Sequence, residues 1–305
     1  MITEKIKNEL MKHGETLFNA PMKNYTTFKT GGPADVLIIP DGKGALSKIL
    51  KISKINNIPV TVIGGGSNLL VGDKGIRGIV IRLFNAQADI NGIYIQEDGS
   101  IYSCASVSKK AFIDFAVNNG YSGIEFMAGV PGCMGGGIYM NAGTFLGNFS
   151  EIITRITVFR LNGKEKTIKF TKDMAKYRKL DFGFDGIIAG AYFNLPKADS
   201  IDEVKNKIKS ILDDRSKKHP LQYPSAGSVF KNPEGYFSWK LIDEAGLKGK
   251  SIGGASVSEL HTNFIINTGN ATSFDVKNLI NHVQDKVMQR FNIMLEPEVK
   301  MIGDF

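Results

Sequence analysis

The apolar residues change period along the chain, and each change marks an element. Ala45, Leu46, Ile49, Leu50 and Ile55 recur at helical spacing and predict an amphipathic helix. Pro59–Ile63 then reads as a strand, and Gly78–Leu83 as another after a turn-rich link. From about Ile90 to Ala105 the pattern shortens to alternation, first Ile93 and Ile95, then Ile101, Ser103 and Ala105. A helix over Lys109–Asn118 follows, and strands are predicted near Ile152–Arg160, Glu165–Phe170 and Gly186–Leu195. Helices and strands mixed in this order imply an α+β domain.

Pro196–Ser200 interrupts that pattern and opens a polar helix, Ile201–Lys218, with Ile201, Val204, Ile208, Ile211 and Leu212 on one face. The C-terminal segment reads as a separate α/β unit. Its long helix, Phe274–Phe291, keeps Val276, Leu279, Ile280, Val283, Val287 and Phe291 in register. Thr272 and Asp275 stand at capping-box spacing before it, with Asp in place of the usual Glu or Gln. The expected divisions are 1–85, 86–197 and 198–305.

Composition narrows the class. With 305 residues, 42% apolar and 22% charged, the chain is neither disordered nor fibrous. At about 100–200 residues per domain, two or three domains are expected. No apolar run approaches the ~20 residues that span a bilayer. Met1–His13 mixes Glu4 and Glu9 with lysines, so no signal peptide is expected. Cys104 and Cys133 form no CxxC pair, so neither a disulfide framework nor a metal site is expected. The expectation is a soluble, cytoplasmic protein. Its net charge of +8 comes from 31 Lys and 7 Arg spread along the chain. Nucleic-acid proteins concentrate such charge on one stripe; here it suits a solvated surface with pockets for anionic small molecules.

The 34 glycines are clustered, and the clusters carry the candidate chemistry. The strand ending at Ile63 runs into Gly64-Gly65-Gly66-Ser67-Asn68-Leu69. Successive backbone N–H groups in such a loop make an anion-binding concavity. It is neither a Walker A loop, which needs Gly-Lys-Ser/Thr, nor a dinucleotide fingerprint, which needs a glycine where Leu69 stands. A tight turn between strands explains it equally well. The second cluster, Gly129-Val130-Pro131-Gly132-Cys133-Met134-Gly135-Gly136-Gly137, runs on to Asn141-Ala142-Gly143 and is less easily a chance turn. Pro131-Gly132 sets a turn, the glycines let backbone approach closely, and Asn141 brings an amide. Two such cradles in one domain suit a ligand with two phosphates.

At these loops the chain resembles the UDP-N-acetylenolpyruvoylglucosamine reductase (UDP-N-acetylmuramate dehydrogenase) family, and the resemblance covers essentially the whole sequence. Six motifs stand in the family's order: Asn24–Asp35, Gly64–Leu70, Gly129–Gly143, Tyr177-Arg178, Pro224–Pro233 and Leu295–Val299. The resemblance implies a vanillyl-alcohol-oxidase-type FAD-binding domain in two subdomains plus a C-terminal α/β substrate-binding domain. It implies FAD held by both loops, non-covalently because Asn68 continues the first, and NADPH as reductant. The reaction implied is reduction of the enolpyruvyl ether on UDP-N-acetylglucosamine. Charge then develops beside a carboxylate, which calls for cationic groups there and a proton donor at carbon.

The family pattern places those groups at Ser228 (the donor), Arg178 and Glu298. It places substrate contacts at Lys218, Asn232 and Tyr177, with Lys217 able to trade places with Lys218. Taken alone, Ala226-Gly227-Ser228 reads as a turn, Arg178 as a surface arginine and Glu298 as a solvated strand residue. Lys29 stands where many members have Arg, and Gly137 replaces a common Ala. There is no room between Gly186 and Pro224 for the tyrosine-bearing loop of part of the family, so the chain resembles the shorter subclass. Two other readings remain: a flavin enzyme of the same superfamily with another substrate, opposed by the Ser228 and Leu295–Val299 segments, and a non-catalytic nucleotide-sugar or RNA-binding protein, favoured only by the basic pI.

Overall fold

The computed structural model describes residues 2–84 and 92–305. Ile90 and the division expected after residue 85 lie outside the described residues. The chain forms two compact units. One comprises Met1–Phe18, Val36–Gly65 and Gly78–Asp213, the other Asn19–Asp35, Gly66–Arg77 and Asp214–Phe305. The two short interior segments join the C-terminal residues because their apolar side chains are buried there. Phe28 and Leu70 are both fully buried in a core with Val229, Phe230, Ile265, Leu279, Ile280 and Val283.

The first unit contains helices α1 (Glu4–Leu10), α2 (Lys43–Ile55), α3 (Lys109–Asn118) and α4 (Met134–Tyr139). Its four-stranded sheet runs in the order Gly14–Pro21, Pro33–Pro40, Ile76–Arg82, Val60–Ile63. The last two strands are parallel, with Val60 opposite Ile79 and Ile63 opposite Arg82. Helix α2 sets Leu46, Ile49 and Leu50 against Val36, Ile38, Ile79 and Ile81. Ile55, expected on the same stripe, is 79% exposed at the last position of the helix.

A second, antiparallel sheet runs Glu165–Lys169, Ile153–Arg160, Gly186–Phe193, Ile101–Cys104, Ile93–Ile95. Ile93 is buried but Ile95 is exposed, because this short strand is the sheet's edge and only its start meets the core. Helix α3 has the expected bounds; the Ser108 side chain accepts the Ala111 N–H at 3.1 Å and fixes its start. Phe112, Ile113 and Ala116 enter a core with Phe149 and Phe193.

In the second glycine cluster, Gly135, Gly136 and Gly137 are helical, within α4, where the sequence reads as a loop. Glycine costs a helix about 1 kcal/mol relative to alanine. At Gly135 and Gly137 the close approach of neighbours accounts for it. A Cβ on Gly135 would lie 2.7 Å from the Ala105 Cβ, and one on Gly137 2.5 Å from Phe149 Cε2.

Helix α5 (Ile201–Lys218) carries the chain from the first unit to the second, which adds α6 (Ser238–Glu244) and α7 (Ser273–Phe291). The second unit's antiparallel sheet runs Ser225–Ser228, Phe264–Asn267, Ala255–Val257, Ser251–Ile252. Leu69–Val71 pairs in parallel with Lys300–Ile302. The capping box of α7 forms as expected: Thr272 Oγ1 accepts the Asp275 N–H at 3.0 Å, and the Asp275 carboxylate accepts the Thr272 N–H at 2.9 Å. Asp73 completes the cap, its two carboxylate oxygens accepting the Ser273 and Phe274 N–H groups at 2.9 Å each.

Candidate active site

Within the first unit the structure brings the two glycine clusters together. A Cβ on Gly65 would lie 2.9 Å from Gly132 Cα, and one on Gly64 would strike the Cys133 sulfur. Backbone therefore faces backbone here, and glycine is required because any side chain would separate the loops. Gly129 and Gly132 turn the second loop with φ of +69° and +97°. Gly129, Pro131 and Gly136 are exposed on it.

The far end of that loop is braced to the Tyr177-Arg178 turn, which joins the paired segments Ala175–Lys176 and Lys179–Leu180. Asn141 Nδ2 donates to the Lys176 carbonyl at 3.3 Å, and its Oδ1 accepts the Ser150 N–H at 2.9 Å. The Asn141 amide, expected to face a ligand, is engaged in holding the loop. Arg178 Nη1 donates to the Gly143 carbonyl at 3.0 Å, and its guanidinium carbon lies 5.0 Å from the Tyr177 ring centre. Its φ of +57° places it in the left-handed region.

Within the second unit the structure brings Asn68, Glu298 and the residue after Ser228 together. Asn68 Nδ2 donates to the Glu298 carbonyl at 3.1 Å, and the Glu298 N–H donates to the Val229 carbonyl at 2.7 Å. Leu69 lies opposite Lys300, and Gly66 accepts the Thr27 N–H. Ser228 ends its strand after Gly227, whose φ is +76°, with a register shift between Ser225 and Ser228. Such a bulge re-aims the side chain that follows it. Asn263, 4% exposed, holds the next residues: its carbonyl accepts from the Val229 N–H, its Oδ1 accepts from the Phe230 N–H, and its Nδ2 donates to the Phe230 carbonyl.

The candidate substrate residues of this unit are on its surface. Lys218, at the end of α5, is exposed and pairs with Asp214 at 3.3 Å. Asn232 Oδ1 accepts the Ser238 N–H at 3.0 Å and so caps the start of α6. Beside Lys218, His219 is pushed down to about 4, first by burial and then by Arg215, His261 and Lys218. Its ring lies 5.0 Å from that of Phe264, the residue opposite Ser228. Burial lowers His261 as well.

Comparison with known proteins gives the family. Residues 219–302 match the model of the UDP-N-acetylenolpyruvoylglucosamine reductase C-terminal domain, and residues 34–169 match that of an FAD binding domain. A UDP-N-acetylenolpyruvoylglucosamine reductase of Caldanaerobacter subterraneus subsp. tengcongensis is 38% identical over 309 residues, covering 100% of this chain and 99% of the relative. The chain belongs to the UDP-N-acetylenolpyruvoylglucosamine reductase family. A reductase of the same name from Agathobacter rectalis is 42% identical, covering 95% of this chain and 94% of that one. The crystal structure of the Thermus caldophilus reductase superposes with a TM-score of 0.78 at 30% identity, covering 94% of this chain and 98% of that one. The α+β fold, with its FAD-binding domain and C-terminal family domain, follows from these matches.

Two further residues of this family member are placed by the structure alone. Lys109 is 5% exposed beneath the second loop, and Asp73 caps α7. Lys109 left one sign: it precedes Phe112, Ile113 and Ala116 at helical spacing, so a lysine occupies an apolar-face position. Asp73 left none, since its partners are 200 residues away. Among the described residues, no helix is long and apolar enough to cross a membrane.

Proposed function

We infer that this chain is an FAD-dependent oxidoreductase that uses NADPH to reduce the enolpyruvyl ether of UDP-N-acetylglucosamine-enolpyruvate. The product is the lactyl ether UDP-N-acetylmuramate, a peptidoglycan precursor. Full-length identity to reductases of that name carries this reading.

The residues present fit FAD. Gly65 against Gly132 leaves bare backbone where a Cβ would intrude, as a pyrophosphate cradle requires. In our reading Gly64, Gly65, Gly66, Ser67, Asn68 and Leu69 hold one part of the cofactor. Gly129, Val130, Pro131, Gly132, Gly135, Gly136, Asn141, Ala142 and Gly143 hold the other, Asn141 through its brace to Lys176 and Ser150. Held there, FAD would supply the hydride-transfer chemistry that links NADPH to the substrate. The attachment is non-covalent: Asn68 continues the first loop, and Cys133 is buried against Gly64.

The chain's own residues handle charge and protons. Ser228 Oγ gives the proton to the carbon beside the carboxylate as negative charge builds there; an enolate is basic enough to take it from a hydroxyl. Arg178 offers the carboxylate a fixed guanidinium fork, and Glu298 polarises the intermediate or shares a proton with it. Tyr177, Lys218 and Asn232 bind the nucleotide sugar. The protein works in the cytoplasm on small molecules and takes no nucleic acid.

The test is direct. Purified protein should show a flavin absorption spectrum, release all flavin on denaturation, and turn over NADPH continuously only when the enolpyruvyl substrate is added. Colourless protein that takes up no FAD would sink the reading.

A further inference from the structure

Lys109 is buried at the start of α3 and meets the second glycine loop twice. Its Nζ donates to the Pro131 carbonyl at 2.7 Å, and its backbone N–H donates to the Gly132 carbonyl at 3.1 Å. Two consecutive carbonyls are thereby turned onto one residue. In a planar trans peptide the carbonyl oxygen and the next N–H point in opposite directions. The N–H groups of Gly132 and Cys133 therefore point away from Lys109, side by side, as in an anion-binding nest.

Burying an ammonium is expensive, whereas a methionine of like length would fill the space without that cost. The charge also sits behind the nest, where it makes the potential on the open side more positive. Its surroundings are shaped to keep it: a Cβ on Gly137 would lie 2.9 Å from Lys109 Cε and 2.6 Å from Phe149 Cζ. The pinned turn is also the one packed against Gly65.

We propose that Lys109 is a positioning residue for FAD: its buried ammonium and its N–H lock the Pro131-Gly132 turn so that the loop's N–H groups face the cofactor's phosphates. The proposal rests on the flavoenzyme reading above.

The test uses FAD itself, titrated into flavin-stripped protein and followed by flavin fluorescence, with far-UV circular dichroism and melting temperature measured on the same samples. Lys109→Arg, which keeps charge and reach, should bind FAD within about threefold of the wild type. Lys109→Met, which keeps the volume alone, should weaken binding by about tenfold or more while the far-UV spectrum stays native. Lys109→Gln is too short to reach the Pro131 carbonyl and should behave as the methionine variant, which covers the case that Lys109→Met does not fold. Wild-type affinity in whichever neutral variant folds, with the wild-type chain binding FAD normally, would overturn the role of Lys109 alone. A wild-type chain that binds no FAD would overturn both this and the functional reading.

Discussion

Glu298 and Val229 are joined backbone to backbone, the N–H of the glutamate donating to the carbonyl of the valine at 2.7 Å. Val229 follows Ser228, so the backbone beside the proposed proton donor is tied to that of Glu298 by the main chain. Asn68 adds the first glycine cluster's end to the same place through the Glu298 carbonyl. The pairing continues outward, with the Lys231 N–H donating to the Glu296 carbonyl at 2.9 Å. Preorganisation of this kind lowers the reorganisation cost of a proton transfer.

Arg178→Lys should slow reoxidation of reduced enzyme by substrate about tenfold or more, while flavin reduction by NADPH is nearly unchanged. Lysine accepts the positive φ no worse than arginine does, so the turn survives. What goes is the fork that reaches the Gly143 carbonyl and carries the planar charge. Rapid-mixing absorbance separates the half-reactions, and an unchanged second half would remove Arg178 from the mechanism.

Asp73→Ala should destabilise the chain by about 1–2 kcal/mol, since it removes a charged cap accepting two N–H groups in the first turn of α7. Urea unfolding measures it. Asp73→Asn, which keeps one acceptor oxygen, should recover part of the loss.

Gly137→Ala is a case where two effects oppose. Alanine gains about 1 kcal/mol of helix propensity. The new methyl would meet Phe149 Cε2 at 2.5 Å and Lys109 Cε at 2.9 Å, and overpacking of this kind costs about 1–3 kcal/mol. The clash wins, and the variant should be less stable. A rise in melting temperature would show that Phe149 and Lys109 yield without cost.

Acid should weaken the fold through His219. Burial and its cationic neighbours hold it down to about 4 in the folded chain, against about 6.5 unfolded. Between those values the unfolded chain binds a proton that the folded chain does not. Stability therefore falls as pH drops from about 6.5 to about 4, with no contribution from this group above that window. His261 and His282 are lowered too, so the informative quantity is the difference between the wild type and His219→Gln across that range. The variant's stability should depend less steeply on pH, and equal slopes would contradict the assignment.

Local features were legible in the sequence and long-range ones were not. The bounds of α3 and α5 followed from apolar spacing, and the capping box of α7 from Thr272 and Asp275. The two glycine clusters stand out in the sequence, but that Gly65 lies against Gly132 is seen only in the structure. The run of three glycines in α4 reads as a loop from the sequence, and only the structure, by setting Ala105 against Gly135 and Phe149 against Gly137, shows why no side chain fits at those two positions. That Phe28 and Leu70 belong to the C-terminal core is likewise a matter of burial among distant residues, which no local pattern records. Arg178 and Ser228 are candidates by motif alone; their settings, a left-handed hairpin turn and a bulge after Gly227, belong to the fold.

The central claim is that Ser228 delivers the proton to carbon. Ser228→Ala, reduced by NADPH and then mixed rapidly with the enolpyruvyl substrate, tests it most directly. We predict flavin reduction at close to the wild-type rate and reoxidation slowed by about two orders of magnitude or more, the lower end of what a lost general acid costs. Reoxidation at the wild-type rate would contradict the account and take the proton donor away from Ser228.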